Sequence, residues 1–276
     1  MKMSNKVIGM IVPTTDNSFF SSLTHYVELI LDKNSYKLFV CDSNNNSERE
    51  KEYLKLLSTC CDGIIDVSGL SEFNENLIPN DFPIVFVDRK PSSSKSIPWI
   101  GNDDEKAMYE ATSYILGKNC KNILLLPGFI AEYQESPRVM GYKKALMDNG
   151  IVFDDSYVLN RKGLHSSEVE TQDLVMKALS ENKDVDAIIT SSDRAAFSAM
   201  NAIGKLGYYA PEDIKLISFD NSPYSTLSSP SITSIDRNPK AIAAKAVEVL
   251  LDRMNGKEVN ITNMIEVSLV IRDSTR

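Results

Sequence analysis

Val7-Ile8-Gly9-Met10-Ile11-Val12 reads as a buried β-strand, and the pattern that follows it decides the fold. Within Phe19 to Lys33, apolar residues recur at helical spacing: Phe20, Leu23, Val27, Ile30 and Leu31. Asn34-Ser35 breaks that helix, and Tyr36 to Cys41 is the next apolar run. Ser47 to Thr59 is again helical; Tyr53, Leu54, Leu56 and Leu57 supply its buried face, and Ser47 with Glu50 reads as a capping box. Short strands at Gly63 to Val67 and Pro83 to Val87 complete a βαβαβ order. Continuous apolar strands joined by amphipathic helices satisfy both faces in a parallel sheet covered by helices, so the class is α/β.

The alternation then begins a second time. Helices are expected at Asp104 to Gly117, Pro137 to Asn149, Glu168 to Ser180 and Arg194 to Leu206. Strands fall between and after them at Asn122 to Leu126, Ser156 to Leu159, Asp186 to Thr190 and Lys215 to Phe219. Beyond these, Ser231 to Ile235 is extended, Pro239 to Met254 is an amphipathic helix opened by proline, and Ile265 to Ile271 alternates as a last strand. A helix and a strand left over after two complete lobes imply that the chain crosses back between them, which makes a hinge. The length of 276 residues fits two lobes of moderate size.

Composition excludes several functions. The net charge is −8, and the densest basic stretch, Lys118 to Lys121, is short and sits at a helix end. A surface that grips nucleic acid by itself carries a basic patch, so these residues alone are not expected to bind DNA. The apolar run at Val7 is too short for a secretory h-region, and no stretch reaches the length of a membrane span, so a cytoplasmic protein with no membrane partner is expected. Neither the four cysteines nor the two histidines are spaced as a zinc site; small buried thiols in a reducing compartment are the expectation. There is no G-x-S-x-G, no G-x-x-x-x-G-K-[S/T] and no G-x-G-x-x-G. Neither catalysis nor a cofactor or metal is expected.

Three apolar runs end in carboxylates. Ile84-Val85-Phe86-Val87 meets Asp88-Arg89, Ala187-Ile188-Ile189 passes through Thr190-Ser191-Ser192 to Asp193, and Leu216-Ile217-Ser218-Phe219 meets Asp220-Asn221. Ligands of open parallel sheets bind beyond the carboxyl ends of the strands. Ionised carboxylates placed there accept hydrogen bonds from a polar ligand. Asp193 serves equally well as an N-cap for the following helix, and Asp220 as an Asx-turn acid. Arg138 opens the helix after Pro127-Gly128, and its guanidinium fork suits vicinal hydroxyls or a carboxylate. Phe19 and Phe20 offer either an apolar wall or core packing, and Asp16 and Asn17 share the loop before them.

Taken in order, these segments resemble the effector-binding region of lactose-repressor/galactose-repressor (LacI/GalR) regulators. The resemblance is carried by Ile8-Gly9-Met10-Ile11-Val12-Pro13 with Asn17-Ser18-Phe19-Phe20, by Glu48-Arg49-Glu50-Lys51-Glu52-Tyr53-Leu54, by Cys61-Asp62-Gly63-Ile64-Ile65 and by Pro83 through Arg89. It continues in Arg138-x-x-Gly141-Tyr142, Ser192-Asp193-x-x-Ala196, Pro211-Glu212-Asp213-Ile214, Ile217 through Asn221 and Ile271-Arg272-Asp273-Ser274-Thr275. It implies two Rossmann-like lobes of the type I periplasmic-binding-protein kind, hinged by three crossovers, with residues 5–102 and 238–263 in one and 103–237 and 264–276 in the other. It further implies a homodimer and a small effector in the interlobe cleft, most often a sugar. Operator DNA would be held only through an N-terminal helix-turn-helix headpiece that this chain does not include. A transport receptor of periplasmic type shares the fold and is the alternative. By the same resemblance Arg138, Asp220, Asp88 and Arg89 face the effector, joined by Asp193, Ser192, Asn221, Phe19, Phe20 and Asn17. The loop residues Leu164, His165, Tyr133 and Gln134 stand where relatives place further contacts. Sugar-binding relatives often carry Asn at the position of Ser192, so an amide donor is replaced here by a hydroxyl.

Overall fold

The computed structural model describes residues 5–67, 70, 72–93, 96–128, 136–159, 168–181 and 184–276. It divides into two units, Met1–Asn102 with Asn238–Ile265 and Asp103–Arg237 with Glu266–Arg276, so the chain passes from one to the other three times.

The first unit opens with β1 (Val7–Val12), α1 (Ser18–Lys33), β2 (Lys37–Asp42), α2 (Ser47–Cys60), β3 (Gly63–Asp66), β4 (Ile84–Val87) and β5 (Trp99–Gly101). The second holds α3 (Asp104–Leu116), β6 (Ile123–Leu126), α4 (Pro137–Asp148), α5 (Glu168–Glu181), β7 (Ala187–Thr190), α6 (Asp193–Lys205), β8 (Lys215–Phe219), α7 (Pro223–Leu227) and β9 (Thr233–Asp236). The chain then returns to the first unit for α8 (Pro239–Met254) and β10 (Thr262–Met264), and to the second for β11 (Ser268–Val270).

The first sheet runs in the order β10-β5-β4-β3-β1-β2, with every pairing parallel. Strand order therefore reverses between β1 and β3. One face packs on α1 and α8 through Ile8, Met10, Leu23, Val27, Ile242 and Leu250. The other packs on α2 through Ile11, Ile64, Phe86, Leu54 and Leu57. Both helices of the opening repeat start at asparagine caps. Asn17 Oδ1 accepts from Phe19 N at 2.8 Å, and Asn46 Oδ1 accepts from Glu48 N and Arg49 N at 3.0 Å each. The capping box expected at Ser47 and Glu50 is thus not formed; α2 begins one residue earlier in register and carries the Glu50 side chain inward.

The second sheet runs β11-β9-β8-β7-β6, parallel except for the antiparallel pair of β11 with β9. The strand expected at Ser156 to Leu159 is a 3-10 turn (Asp155–Tyr157) followed by a single bridge between Val158 and Leu125. Asp154 caps that turn through Ser156 N, which pulls the segment out of extended geometry before a ladder can grow. The bridge still lies on the far side of β6 from β7, so the order reverses at the β6/β7 junction. The last strand is also shorter than expected, covering Ser268–Val270, because the preceding residues Thr262–Met264 pair with β5 in the first unit.

α3 and α4 approach unusually closely. A Cβ at Gly141 would lie 2.1 Å from the Glu105 carbonyl oxygen and 3.0 Å from Tyr109 N, both backbone atoms. Glycine is what allows these helices to touch, and their contact brings Asp104 and Arg138 together. No helix among the described residues is long and apolar enough to cross a membrane.

Candidate functional site

The polar groups of the second unit gather where its sheet changes direction. Gly128, just past β6, holds φ at +93°, and a Cβ there would sit 3.0 Å from Ser191 Oγ. A side chain at that position is disfavoured twice over, by conformation and by space. Beside this turn, Arg138 lies in the first turn of α4, behind Pro137.

Its guanidinium is fixed on three sides. Nε donates to Asp104 Oδ2 at 2.8 Å, Nη1 donates to the Ser191 carbonyl at 3.0 Å, and the guanidinium carbon lies 4.1 Å from the centroid of the buried Phe219 ring. Salt bridge, carbonyl and ring together leave the planar fork one orientation. Among the described residues Nη2 has no hydrogen-bond partner, so its two donors are available. Asp104 is placed by the start of α3, where negative charge is favoured, and its Oδ1 is buried without a partner.

β8 ends in a left-handed turn. Asp220 has φ +102° and Asn221 φ +51°, conformations that Asp and Asn tolerate better than other side chains. The Asp220 amide returns to the Ile235 carbonyl at 2.9 Å, which fixes the carboxylate at the strand end. Its Oδ1 lies 3.8 Å from Arg237 Nη1, and both side chains are about nineteen-twentieths buried, at 4% and 5% exposure. Arg237 was not marked by the sequence reading. It follows β9 directly and is the last residue of the second unit before the chain returns to the first. A charged residue directly after Thr233-Ser234-Ile235-Asp236 was the available signal, masked by the expectation that the strand would stop at Ile235.

Several expected contacts are occupied by the fold instead. Asp193 is fully buried, and its carboxylate accepts from Ser218 Oγ, from Ser234 Oγ at 2.6 Å and from Ser222 N. Burial pushes its carboxyl up and those hydrogen bonds oppose the shift. It is therefore neither a cap nor solvent-facing; Ser192 is the cap, accepting from Ala195 N at 3.3 Å. Asn221 is likewise consumed. Its Oδ1 accepts from Arg272 Nη2, its Nδ2 donates to Asp236 Oδ2 at 3.0 Å, and its backbone N donates to Ser234 Oγ at 3.0 Å. Arg272 also donates to the Ile232 carbonyl at 2.8 Å, so this arginine stitches the C-terminal segment to the loop after β8. Asp193→Asn would set an amide N–H against one of its donors and is expected to cost ~1–3 kcal/mol of stability, measured by urea unfolding.

In the first unit, Asp88 turns out of β4 with φ +69° and is half-buried. Its amide donates to the Ile100 carbonyl at 2.9 Å and its carbonyl accepts from Trp99 Nε1 at 3.0 Å. Arg89 beside it is exposed. Phe19 and Phe20 belong to the core, 2% and 8% exposed, in an edge-to-face contact with centroids 5.4 Å apart. They do not form an open apolar wall. Asn17 is the cap of α1. Gln134 and His165, with Tyr133 and Leu164, lie outside the described residues.

Residues 112–275 match a family described as a periplasmic binding protein-like domain. The HTH-type transcriptional repressor PurR of Aliivibrio fischeri strain ES114 is 30% identical over 261 residues, spanning 92% of this chain and 76% of the repressor. The chain belongs to the lactose-repressor/galactose-repressor family. Catabolite control protein A of Priestia megaterium is similar to the same degree, 30% identical over 257 residues, with 92% of this chain and 76% of that protein covered. Among solved structures, a periplasmic binding protein/LacI transcriptional regulator from Alkaliphilus metalliredigens, complexed with D-xylulofuranose, superposes with a TM-score of 0.85 at 26% identity, covering 99% of this chain and all of that one. The chain is the ligand-binding domain of a repressor of the PurR and catabolite-control type, and these relatives are transcriptional repressors rather than enzymes.

Proposed function

We propose that this domain takes a small polar effector, a sugar or sugar derivative, at Arg138 in the first turn of α4 and Asp220 at the end of β8. Effector occupancy then controls operator binding by a helix-turn-helix element. The observation that carries this reading is the Arg138 clamp: a guanidinium immobilised by Asp104, the Ser191 carbonyl and Phe219, with Nη2 unpartnered among the described residues. An arginine used only for packing would not need one fully uncommitted nitrogen beside a topological switch point. Asp220 supplies the complementary acceptor within the same unit. Control follows from differential affinity, since an effector shifts a regulator only as far as it binds one of its states better than the other. We place the protein in the cytoplasm, where operator DNA is.

Calorimetric titration with neutral sugars, sugar phosphates and purines tests the reading. Saturable binding confined to one of these classes is expected. Absence of binding to every one, or chemical turnover of any, would remove it.

The same reading includes a homodimer. β2 is an edge of its sheet, and Phe39 and Val40 on it are exposed, as is Leu29 on α1. Open edges bearing apolar side chains are rarely left uncovered. Phe39→Glu is expected to weaken self-association at least ~10-fold in sedimentation velocity. An unchanged sedimentation profile would take β2 out of the interface.

A further inference from the structure

Asp66 ends β3 with a carboxyl group surrounded by hydrocarbon. Its side chain is 0% exposed, and among the described residues neither oxygen has a hydrogen-bond partner. Alternation along the strand places it on the same face as Ile64, under α2. Its lateral neighbours are Ile11 on β1 and Phe86 on β4. Beyond the strand, Leu70 and Phe73 close the same cluster. Glu50 of α2 is itself buried, 1% exposed, and its charge acts on Asp66.

Among the described residues, the charge that acts on Asp66 is the like charge of Glu50. β1 and β4 carry no titratable side chain within their bounds. On α2, Glu48, Arg49, Glu52 and Lys55 are exposed, Tyr53 is half-buried, and Lys51 is bound to Glu48 at 2.7 Å. Cys60 and Cys61 stand at the far end of that helix. Glu75, in the turn after the loop, accepts from Ser93 Oγ at 3.0 Å. Among the described residues, no group of three or more His, Cys, Asp or Glu side chains is arranged to hold a metal ion. An ionised Asp66 would thus be an anion without a donor, beside a second carboxylate.

We propose that Asp66 is held as a neutral carboxylic acid at neutral pH beside Glu50, and that loss of its proton at alkaline pH releases α2 from the sheet, a pH-sensitive latch within the first unit. Burial first, and the charge of Glu50 second, push the Asp66 carboxyl well above the usual carboxylate range. The sign follows. The folded chain keeps a proton that the unfolded chain releases, so stability falls as pH rises from the unfolded value through the folded one. Glu50 packs from the first turn of α2, so the repulsion acts between that helix and β3.

Thermal unfolding of the chain between about pH 6 and about pH 9 tests the latch, with infrared spectra in the carboxyl region. The wild type is expected to lose at least ~3 °C more across this range than Asp66→Asn or Asp66→Val. Asp66→Val, whose side chain suits a strand among apolar neighbours, is expected to melt highest. Glu50→Gln removes the like charge, so the alkaline loss shrinks and its midpoint moves to lower pH. A protonated-carboxyl band is expected at neutral pH, absent from both Asp66 variants. Equal pH slopes in wild type and Asp66 variants, or no such band in the wild type, would overturn the proposal.

Discussion

Arg138→Ala is expected to weaken effector binding by at least ~100-fold, because truncating a hydrogen-bonded charge at a desolvated contact costs ~2–5 kcal/mol. Three losses combine in that variant. The open Nη2 donors disappear, Asp104 is left with both oxygens unpartnered, and the Phe219 ring loses its cover. Arg138→Lys should rescue little of this. A lysine ammonium cannot hold Asp104, reach the Ser191 carbonyl, lie flat on the ring and still present two donors in a fixed plane. Titration calorimetry on both variants measures the effect, with melting curves as the control for folding.

Gly141→Ala is expected to be the most damaging single methyl group among the described glycines. The added Cβ would meet the Glu105 carbonyl oxygen at 2.1 Å, far inside contact distance, and that oxygen belongs to helix backbone, which cannot rotate away. α3 and α4 must separate. Overpacking of this kind costs ~1–3 kcal/mol and more when backbone must move; a loss above ~3 kcal/mol is expected here, which lowers Tm by roughly 6–12 °C in a domain of this size. Function should suffer as well, since the 2.8 Å bond from Arg138 to Asp104 spans the same two helices. Gly141→Ala should therefore weaken effector binding even at a temperature where the variant remains folded.

Much of the architecture was legible because the strands are continuous apolar runs. Lys215–Phe219 and Pro239–Met254 fall where spacing and proline placed them. The element at Ser156 to Leu159 was not legible as a turn, because Tyr157, Val158 and Leu159 look like strand residues until Asp154 is seen capping them. The positions of the candidate site residues were legible in part. Arg138 and Asp220 could be marked from a helix start and a strand end, since the sheet fixes where such positions face. Asp193 and Asn221 have partners in the fold that were not legible, for a common reason. Sequence shows that a polar residue follows a strand, but not which hydroxyls and guanidinium from β8, β9 and the C-terminal segment will reach it first. Phe19 and Phe20 illustrate the same limit among apolar residues, where adjacent aromatics both turned into the core. Asp66 sat in plain view within Gly63-Ile64-Ile65-Asp66-Val67, yet only its burial without a partner distinguishes it from an ordinary strand-end acid.

The central claim is that an effector is held through Arg138 and Asp220. Its most direct test is a calorimetric titration of wild type, Arg138→Ala and Asp220→Ala with the tightest binder among the sugars, sugar phosphates and purines. Both variants are expected to melt cooperatively and to bind at least ~10-fold more weakly than wild type. Two folded variants with wild-type affinity would contradict the account.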